Sequence, residues 1–306
     1  MSYSFLKESK LFIEYGGNKY RIYTNTTISF SQTFAEDSYP VKTLHDQTKM
    51  LAGTTITKAN PAQFSFTVPL TAEKDESIVM DLITDLVSTS DSDIETQQLK
   101  SFNIYVQTGS STFKVENCVI TSANFGFIQL EQFKVEIEGQ GTKLSRLGNE
   151  SYNLGTIQSE SSTRTPLLIY PAVTVDSLNM ANIISASVQI QNNVDWTPFE
   201  TLHNSLAVTD SSNAMFPSAY VVSERIVSGT IQQYQTDNNI TQFDNFSTNS
   251  NINVLAKKKD GTTFWAIQIN PAMYTARMDV AEVYTQSYDF RSTDNTALGT
   301  RITTYS

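Results

Sequence analysis

The chain carries one tripeptide twice, and this internal repeat limits its possible folds more than any other feature. The two copies, Thr43–His45 and Thr201–His203, contain the only two histidines among 306 residues. Each copy follows a strand-like run, Ile28–Ser31 in the first case and Ile184–Ser187 in the second, with an irregular segment in between. Because a recurring order of elements at a nearly constant separation is typical of a duplicated unit, the sequence predicts a duplicated domain.

Two further matches downstream have nearly the same separation. Phe102–Ile104 matches Ile252–Val254, and Ser111–Phe113 matches Thr262–Phe264. The separations are 252 − 102 = 150 and 264 − 113 = 151 residues, against 203 − 45 = 158 for the histidines. These matches extend the predicted repeat over most of the chain.

The length agrees with two domains, because compact domains average roughly 150 residues and each half is long enough to bury its own core. Between Gln140 and Thr165 the chain is rich in Gly, Ser, Thr and Asn, a composition typical of linkers. We therefore place the first domain at 1–145, the linker at 146–165 and the second domain at 166–306.

Short-range periodicity indicates strands in both halves and little helix. Gln63–Val68 alternates apolar and polar residues, and the segments 123–138 and 274–290 are each predicted as one long strand. In the first of these strands Ile128 and Leu130 leave the alternation, which suggests a bulge or a bend. An apolar stripe predicts a helix over Glu73–Ser88, and a weaker helical pattern covers Asn239–Phe246. The predicted fold is mainly β, with two tandem β-sandwich or half-barrel domains, each flanked by one helix.

The charge balance argues against a protein that grips nucleic acid. Lys and Arg number 21 against 31 Asp and Glu, a formal net charge of −10, whereas DNA binding needs a surplus of cations facing the phosphates. The same sign suits a surface past which DNA slides. Charged residues make up only 17% of the chain, while Tyr and Phe number 14 and 17, which favours polar-faced sheets with aromatic interiors.

No motif in the sequence predicts catalysis, a cofactor or a bound metal. The chain lacks a Gly-x-Ser-x-Gly elbow, a phosphate-binding Gly-x-x-x-x-Gly-Lys loop and a His-Glu-x-x-His pair. Neither histidine has a second histidine or a cysteine at ligand spacing, and the single cysteine, Cys118, is expected to fill core space. We expect a protein that is not an enzyme.

Hydropathy gives no sign of membrane insertion. No segment reaches the roughly 20 consecutive apolar residues of a spanning helix, and the N-terminus lacks the apolar segment of a signal peptide. We expect a protein that stays in the cytosol or leaves the cell as part of a particle.

Part of the first half resembles the tube proteins of bacteriophage tails. The segment Ser111–Asn124 and its continuation Glu136–Gly141 carry this resemblance, supported by Phe5–Phe12 and Gln63–Phe66. The chain is similar to the duplicated tube proteins of long-tailed siphophages, which carry two tube domains in one chain. The resemblance covers most of the first half and, through the internal repeat, the plan of the second.

This resemblance implies a structural virion protein. In the family, three two-domain chains close a ring with pseudo-sixfold symmetry, and stacked rings form a tube whose inner barrel conducts DNA during ejection. The implied partners are other copies of the chain, the tip or baseplate, tape-measure and terminator proteins, and double-stranded DNA in transient passage without specific binding. The implied location is the virion tail, after assembly in the host cytoplasm.

The resemblance also assigns roles to two groups of residues. The long loops 34–61 and 192–218 correspond to loops that reach a neighbouring ring or subunit, and the candidates within them are Thr43, Leu44, His45, Trp196, Thr201, Leu202 and His203. An acidic lumen would repel DNA by Coulomb's law. The lumen-lining candidates are Glu131, Glu136, Glu138, Asp279 and Glu282.

Two other interpretations of the sequence stay open. A contractile or secretion-type tube belongs to the same structural class, although such tubes usually have one tube domain per chain. A carbohydrate-binding β-sandwich adhesin is suggested by the tyrosines, the tryptophans and the polar loops. Electron microscopy separates the classes, since hollow tubes indicate a tube protein and glycan-binding monomers indicate an adhesin.

Overall fold

Antiparallel strands make up most of the structure. The computed structural model describes residues 9–39, 53–84, 99–149, 151–196, 216–217, 219–236, 239, 243–280, 282–293 and 302–304. In the first half the elements are β1 (Lys10–Tyr15), β2 (Asn18–Ile22), β3 (Ser29–Ser31), β4 (Phe34–Tyr39), β5 (Gly53–Ala59), β6 (Ala62–Pro69), α1 (Ser77–Thr84), β7 (Phe102–Gln107), β8 (Thr112–Ile128), β9 (Lys134–Gly141) and β10 (Lys143–Gly148). In the second half they are β11 (Tyr170–Val175), β12 (Leu178–Asn179), β13 (Ile183–Trp196), β14 (Tyr220–Tyr234), β15 (Phe246–Lys257), β16 (Thr263–Asp279), β17 (Thr285–Ser292) and β18 (Ile302–Thr304). The prediction of a mainly β fold is confirmed.

The strands of the two halves pair in the same order. In the first half the neighbours are β2-β1-β7-β8-β9-β6-β3, with β10 beside the start of β8 and β4 paired separately with β5. In the second half they are β12-β11-β15-β16-β17-β14-β13, with β18 beside the start of β16. Each strand of the first path therefore has a counterpart in the second path.

The strand register fixes which residues of the two halves correspond. Glu138 is the fifth residue of β9, and the pairing of β9 with β6 and of β6 with β3 leads from it to Ser29. Asp289 is the fifth residue of β17, and the pairing of β17 with β14 and of β14 with β13 leads from it to Ser187. The separation 187 − 29 = 158 equals that of the two histidines, 203 − 45 = 158. The sequence match of Ile28–Ser31 with Ile184–Ser187 has a separation of 184 − 28 = 156 residues and is therefore wrong by two. Serines that alternate along both strands make a match at either separation look similar.

Two predicted long strands are each a hairpin. The segment 123–138 contains the end of β8, a turn at 129–133 and the first part of β9. The segment 274–290 contains the end of β16 and most of β17, which pair antiparallel on either side of residues 280–284; residue 281 lies outside the described ranges. The sequence indicates the first turn only as a bulge or bend at Ile128 and Leu130 and does not indicate the second, because neither turn contains Gly, Pro or Asn. In the first turn Leu130 adopts a φ of +66°, a conformation in which glycine or asparagine is usual.

The helix α1 buries its apolar stripe, which includes Ile78, Val79, Leu82 and Ile83. It is the one helix in the described ranges, and residues 85–88 of the predicted helix lie outside them. Of the second predicted helix, residues 240–242 lie outside the described part of the chain, and its last residue, Phe246, begins β15.

The two halves join edge to edge. The second part of β8 pairs antiparallel with β13, so that Asn124 lies opposite Gln189. One sheet therefore crosses both halves in the order β3-β6-β9-β8-β13-β14-β17-β16. The first part of β8 leaves this eight-stranded sheet and pairs with β7, whereas β15 pairs with β16 from Thr263 as far as Thr275.

Aromatic side chains from both halves close the junction. The Trp265 ring centroid lies 4.7, 5.2 and 5.7 Å from those of Phe125, Phe127 and Phe133, and all four side chains are fully buried. Phe133 also meets Phe264 edge-on at 5.6 Å. The halves therefore share a core, and the boundaries placed at 1–145, 146–165 and 166–306 stay a prediction.

The Gly- and Ser-rich segment predicted as a linker is held against the first half. Tyr23 donates its hydroxyl to Glu160 at 2.6 Å. At the end of the segment, Thr165 donates its backbone N–H and its hydroxyl to Glu73, each at 2.7 Å, and these bonds hold the pKa of Glu73 below its usual value. The segment therefore folds with the first half rather than behaving as a free spacer.

Candidate functional site

One side of the eight-stranded sheet is polar. In β9 the buried residues alternate with the exposed Glu136 and Glu138, and in β13 they alternate with the exposed Gln189 and Gln191. Alternate side chains of a strand point to opposite sides of its sheet. In the paired strands of both halves, polar residues lie opposite polar residues. These side chains therefore form one uninterrupted surface, which we call the polar face.

The strand register aligns the polar side chains in rows. One row crosses six strands and consists of Glu136, Asn124, Gln189, Ser228, Arg291 and Met273. A concavity of about 610 Å³ lies over the middle of the polar face, between Asn124 and Thr275. A second concavity, of about 290 Å³, lies beside Ser31 and Glu138. The polar face is therefore continuous from the first half to the second and recessed in places.

The carboxylates of the polar face have polar or cationic neighbours. Glu136 lies 3.7 Å from Lys134 Nζ, and Asp289 accepts a hydrogen bond of 2.9 Å from the Thr230 hydroxyl. Arg291 stands in the same row as Glu136 and adds a second cation. Most other groups on this surface are hydroxyls and amides, which bind water without carrying charge. The polar face is therefore hydrophilic and only weakly acidic.

The structure places the five acidic candidates in three settings. Glu136 and Glu138 lie on the polar face. Glu131 and Glu282 lie in the two corresponding turns, after β8 and after β16. Asp279 ends β16 and forms an exposed ion pair with a neighbouring arginine at 3.2 Å. The lumen role of all five stays a prediction.

The five acidic candidates leave out several members of the polar face. They are Asn124, Gln189, Ser228, Asp289 and Arg291. The signal that finds them is the two-residue alternation of β13 and β17 rather than charge. Asp289, for example, is exposed between two buried aromatic residues, Tyr288 and Phe290.

The repeated tripeptides lie outside the described residues. The candidates there are Thr43, Leu44, His45, Thr201, Leu202 and His203. Trp196, the last residue of β13, is described: its indole N–H donates to Gln140 Oε1 at 2.7 Å, and its ring lies 5.1 Å from that of Tyr220. Trp196 therefore packs across the two halves of one chain, and its contact with another copy stays a prediction.

The described residues hold little chemistry beyond hydrogen bonding. In these ranges no three His, Cys, Asp or Glu side chains are placed to share a metal ion. Cys118 is buried, and burial raises the pKa of its thiol well above the usual value, so this side chain packs as a core residue. A search of the same ranges for a helix long and apolar enough to cross a membrane finds none.

A mainly β chain whose halves share one sheet with a broad polar face has the features of a structural assembly protein. The family comparison makes this specific: the model of the Bacteriophage Baseplate Tube Protein Family matches residues 1–300, and the chain belongs to that family. It is a structural phage tube protein, which assembles with other tail proteins in the virion tail. No curated protein matches the chain.

Proposed function

We propose that copies of this chain close into rings whose polar faces line a lumen, and that stacked rings form the tube through which DNA leaves the particle. The observation that carries this proposal is the single polar face built by eight strands from both halves. Closing such a sheet into a barrel removes its exposed edges, which otherwise favour aggregation. The identical strand order of the halves supports a duplicated domain and a pseudo-sixfold ring of three chains.

The eight-stranded sheet gives the proposed ring a size. Three copies contribute 3 × 8 = 24 strands. With strands about 4.8 Å apart, a closed barrel of that number measures roughly 37 Å between opposite backbones, or roughly 48 Å if the strands tilt by about 40°. After side chains are added, this opening leaves room for a DNA duplex.

The chemistry of the polar face supports passage rather than binding. A protein retains DNA by neutralising phosphates with Lys and Arg. On the polar face Lys134 lies beside Glu136, and hydroxyl and amide groups cover most of the remaining surface. Such a wall stays hydrated and offers few cations to a moving duplex, so we propose that the DNA slides without specific contacts.

Tube formation is the direct test of this function. The purified chain is expected to form hollow tubes in negative-stain electron microscopy. The double variant Leu44→Asp/Leu202→Asp places a charge in each predicted contact loop, and we expect its assembly to stop at single rings. The matched control Leu44→Met/Leu202→Met keeps both positions apolar and should polymerise normally. Full-length tubes from the Asp variant would refute the loop role, and a wild-type chain that forms neither rings nor tubes would refute the function.

Charge reversal on the polar face tests the lumen assignment. In Glu138→Lys tubes every ring presents new cations to the duplex, so added double-stranded DNA should co-sediment with the tubes near 50 mM salt and be released near 200 mM, roughly the range over which phosphate contacts weaken. Asp260→Lys makes the same charge change in the turn between β15 and β16 and should retain no DNA. Equal retention by the two variants would place Glu138 outside the lumen.

A further inference from the structure

The hairpins β8–β9 and β16–β17 are counterparts, and strand pairing fixes their alignment. Glu138 in β9 lies opposite Ser122 in β8, and its equivalent Asp289 in β17 lies opposite Thr275 in β16. The separation between β8 and β16 is therefore 275 − 122 = 153 residues. Residues of these two strands that differ by 153 positions hold equivalent places in the two hairpins.

Equivalent side chains of the two hairpins differ in burial. Phe125 and Phe127 are fully buried, whereas their equivalents Met278 and Val280 are 48% and 70% exposed. In the first half β13 lies beside this part of β8 and pairs with it. In the second half β15 pairs with β16 only as far as Thr275, and no described strand lies beside the end of β16. The second hairpin therefore has an uncovered apolar edge.

This edge also presents backbone groups. The N–H of Ala276 donates to Asn245 O at 2.8 Å, on the side of β16 away from β17. Because backbone groups of successive residues point to alternate sides of a strand, Met278 turns its N–H and C=O to that same side. Unpaired backbone groups at a sheet edge are a template for another strand. The end of β16 is therefore suited to pair with one.

The other end of the eight-stranded sheet has a second free edge, on β3. This strand pairs with β6, and no described residue pairs with its other side. Ile28 and Phe30 are partly buried against the core, and the Phe30 ring lies 5.2 Å from that of Phe113. Ser29 and Ser31 are exposed on the polar face. By the separation of 187 − 29 = 158 residues, β3 is the counterpart of the part of β13 that pairs with β8.

We propose that the end of β16 pairs antiparallel with β3 of a second copy of this chain, in the register in which β8 pairs with β13. Within the chain Phe125 lies opposite Val188. Adding 153 to the first number and subtracting 158 from the second places Met278 opposite Phe30 of the second copy. The neighbouring pairs are Arg277 with Ser31, Asp279 with Ser29, and Val280 with Ile28. This inference rests on the proposed ring and names the strands and the register that close it.

The paired side chains match on both sides of the sheet. Arg277 and Asp279, which form an ion pair at 3.2 Å, meet serine hydroxyls on the polar face. On the other side Met278 packs beside Phe30, and a thioether makes favourable contacts with aromatic rings. A shift of one residue would bring Met278 opposite a serine and reverse the faces. A shift of two would keep the polarity, so the junction within the chain is what selects the register.

The contact continues the eight-stranded sheet from one copy to the next. β3 is the first strand of that sheet and β16 is the last, so each new pair joins two sheets edge to edge. The contact is head-to-tail, and repeating it closes a ring if the rotation is right. The junctions between chains then have the same strand pairing as the junction within each chain, as pseudo-sixfold symmetry requires.

Disulfide cross-linking tests the register. Asp279 turns its backbone groups toward β17, so its pair with Ser29 is of the type without direct hydrogen bonds, with Cα atoms about 4.5 Å apart, within the range of a disulfide. Mixing Ser29→Cys with Asp279→Cys under oxidising conditions should give a linked dimer, and neither variant alone should cross-link. Both positions lie at exposed strand residues, and the native cysteine is buried.

A pair two residues out of register is the matched control. Mixing Ser29→Cys with Arg277→Cys places the thiols on diagonal neighbours about 7–8 Å apart, and we expect little cross-linking. The double variant Ser29→Cys/Asp279→Cys carries both thiols in one chain. In a closed ring of three copies it should run as a covalent trimer in denaturant without reductant.

A charge on the apolar side of the edge tests the contact without cysteine. Met278 is half exposed, so Met278→Lys should fold, but association would bury the new charge beside Phe30. We expect this variant to stay monomeric in sedimentation velocity. Leu178→Lys makes the same charge change at a similarly exposed residue, the first of β12, and should assemble as the wild type does.

The outcomes separate this contact from the tube. Equal cross-linking of Ser29→Cys by Asp279→Cys and by Arg277→Cys would overturn the register, and wild-type-like assembly of Met278→Lys would overturn the contact. Normal tubes in which Ser29→Cys and Asp279→Cys stay unlinked would also refute the register while leaving the proposed function intact. Linked rings that fail to stack would instead contradict the tube and leave this contact standing.

Discussion

Replacing Trp265 by alanine is expected to lower the free energy of unfolding by about 3–5 kcal/mol, the range found when a large buried aromatic side chain is truncated. The side chain is 1% exposed and contacts three phenylalanines of the first half. Because the three phenylalanine rings are themselves fully buried, no solvent can fill the space of the indole, and truncation leaves a cavity at the junction. Urea denaturation of the dilute chain measures the loss.

Trp265→Phe is the matched control for this prediction. It keeps an aromatic ring at the junction and removes a buried indole N–H that has no hydrogen-bond partner in the described structure. We expect it to cost less than about 2 kcal/mol, because only part of the packing is lost and an unsatisfied polar group disappears with it. If the alanine and phenylalanine variants unfold at the same urea concentration, the junction does not depend on this side chain.

Local sequence patterns predict the individual strands well, but not their partners. The alternation of Gln63–Val68 predicts β6, which spans Ala62–Pro69. The pairing of β8 with β13 joins residues 185 − 128 = 57 to 191 − 122 = 69 positions apart, and no local period contains that information. The turn at 129–133 is predicted only as a bulge or a bend, because its left-handed residue is Leu130 rather than a glycine. The Ser-rich segment is predicted as a free linker because composition does not reveal the bonds that Thr165 makes to Glu73.

The members of the polar face are predictable only in part, because the sequence does not show which strands are neighbours. Alternation shows which side chains of β9 share a face, and it places Glu136 and Glu138 together. It does not show which strands lie beside β9, so the row that continues through Asn124 and Gln189 is visible only once the register is known. Asp279 is selected as an acid on the polar face of a predicted long strand, and its position at a strand end follows from a turn that the sequence does not reveal.

Replacing Gly229 by alanine is expected to destabilise the chain by about 3 kcal/mol, the upper end of the usual cost of overpacking. A Cβ atom at Gly229 would collide with the backbone oxygen of Ser187 in β13 and would lie 2.5 Å from Phe290 Cζ in β17. The backbone oxygen belongs to a paired strand, so it moves only if the ladder between β13 and β14 opens. Thermal unfolding should show the loss as a lower Tm.

The first half has the same contact between an aromatic ring and a glycine, but the two residues lie on the opposite members of the corresponding strand pair. There the glycine is Gly139 in β9 and the aromatic ring is Phe64 in β6, whereas in the second half the glycine is in β14 and the ring, Phe290, is in β17. A ring therefore covers the neighbouring strand in both halves, and only a glycine leaves room for it. Gly126→Ala is the control on the same sheet, because a Cβ there meets nothing within 4 Å; its effect should stay within about 0.5 kcal/mol. Equal losses from Gly229→Ala and Gly126→Ala would show that the ring does not require the glycine.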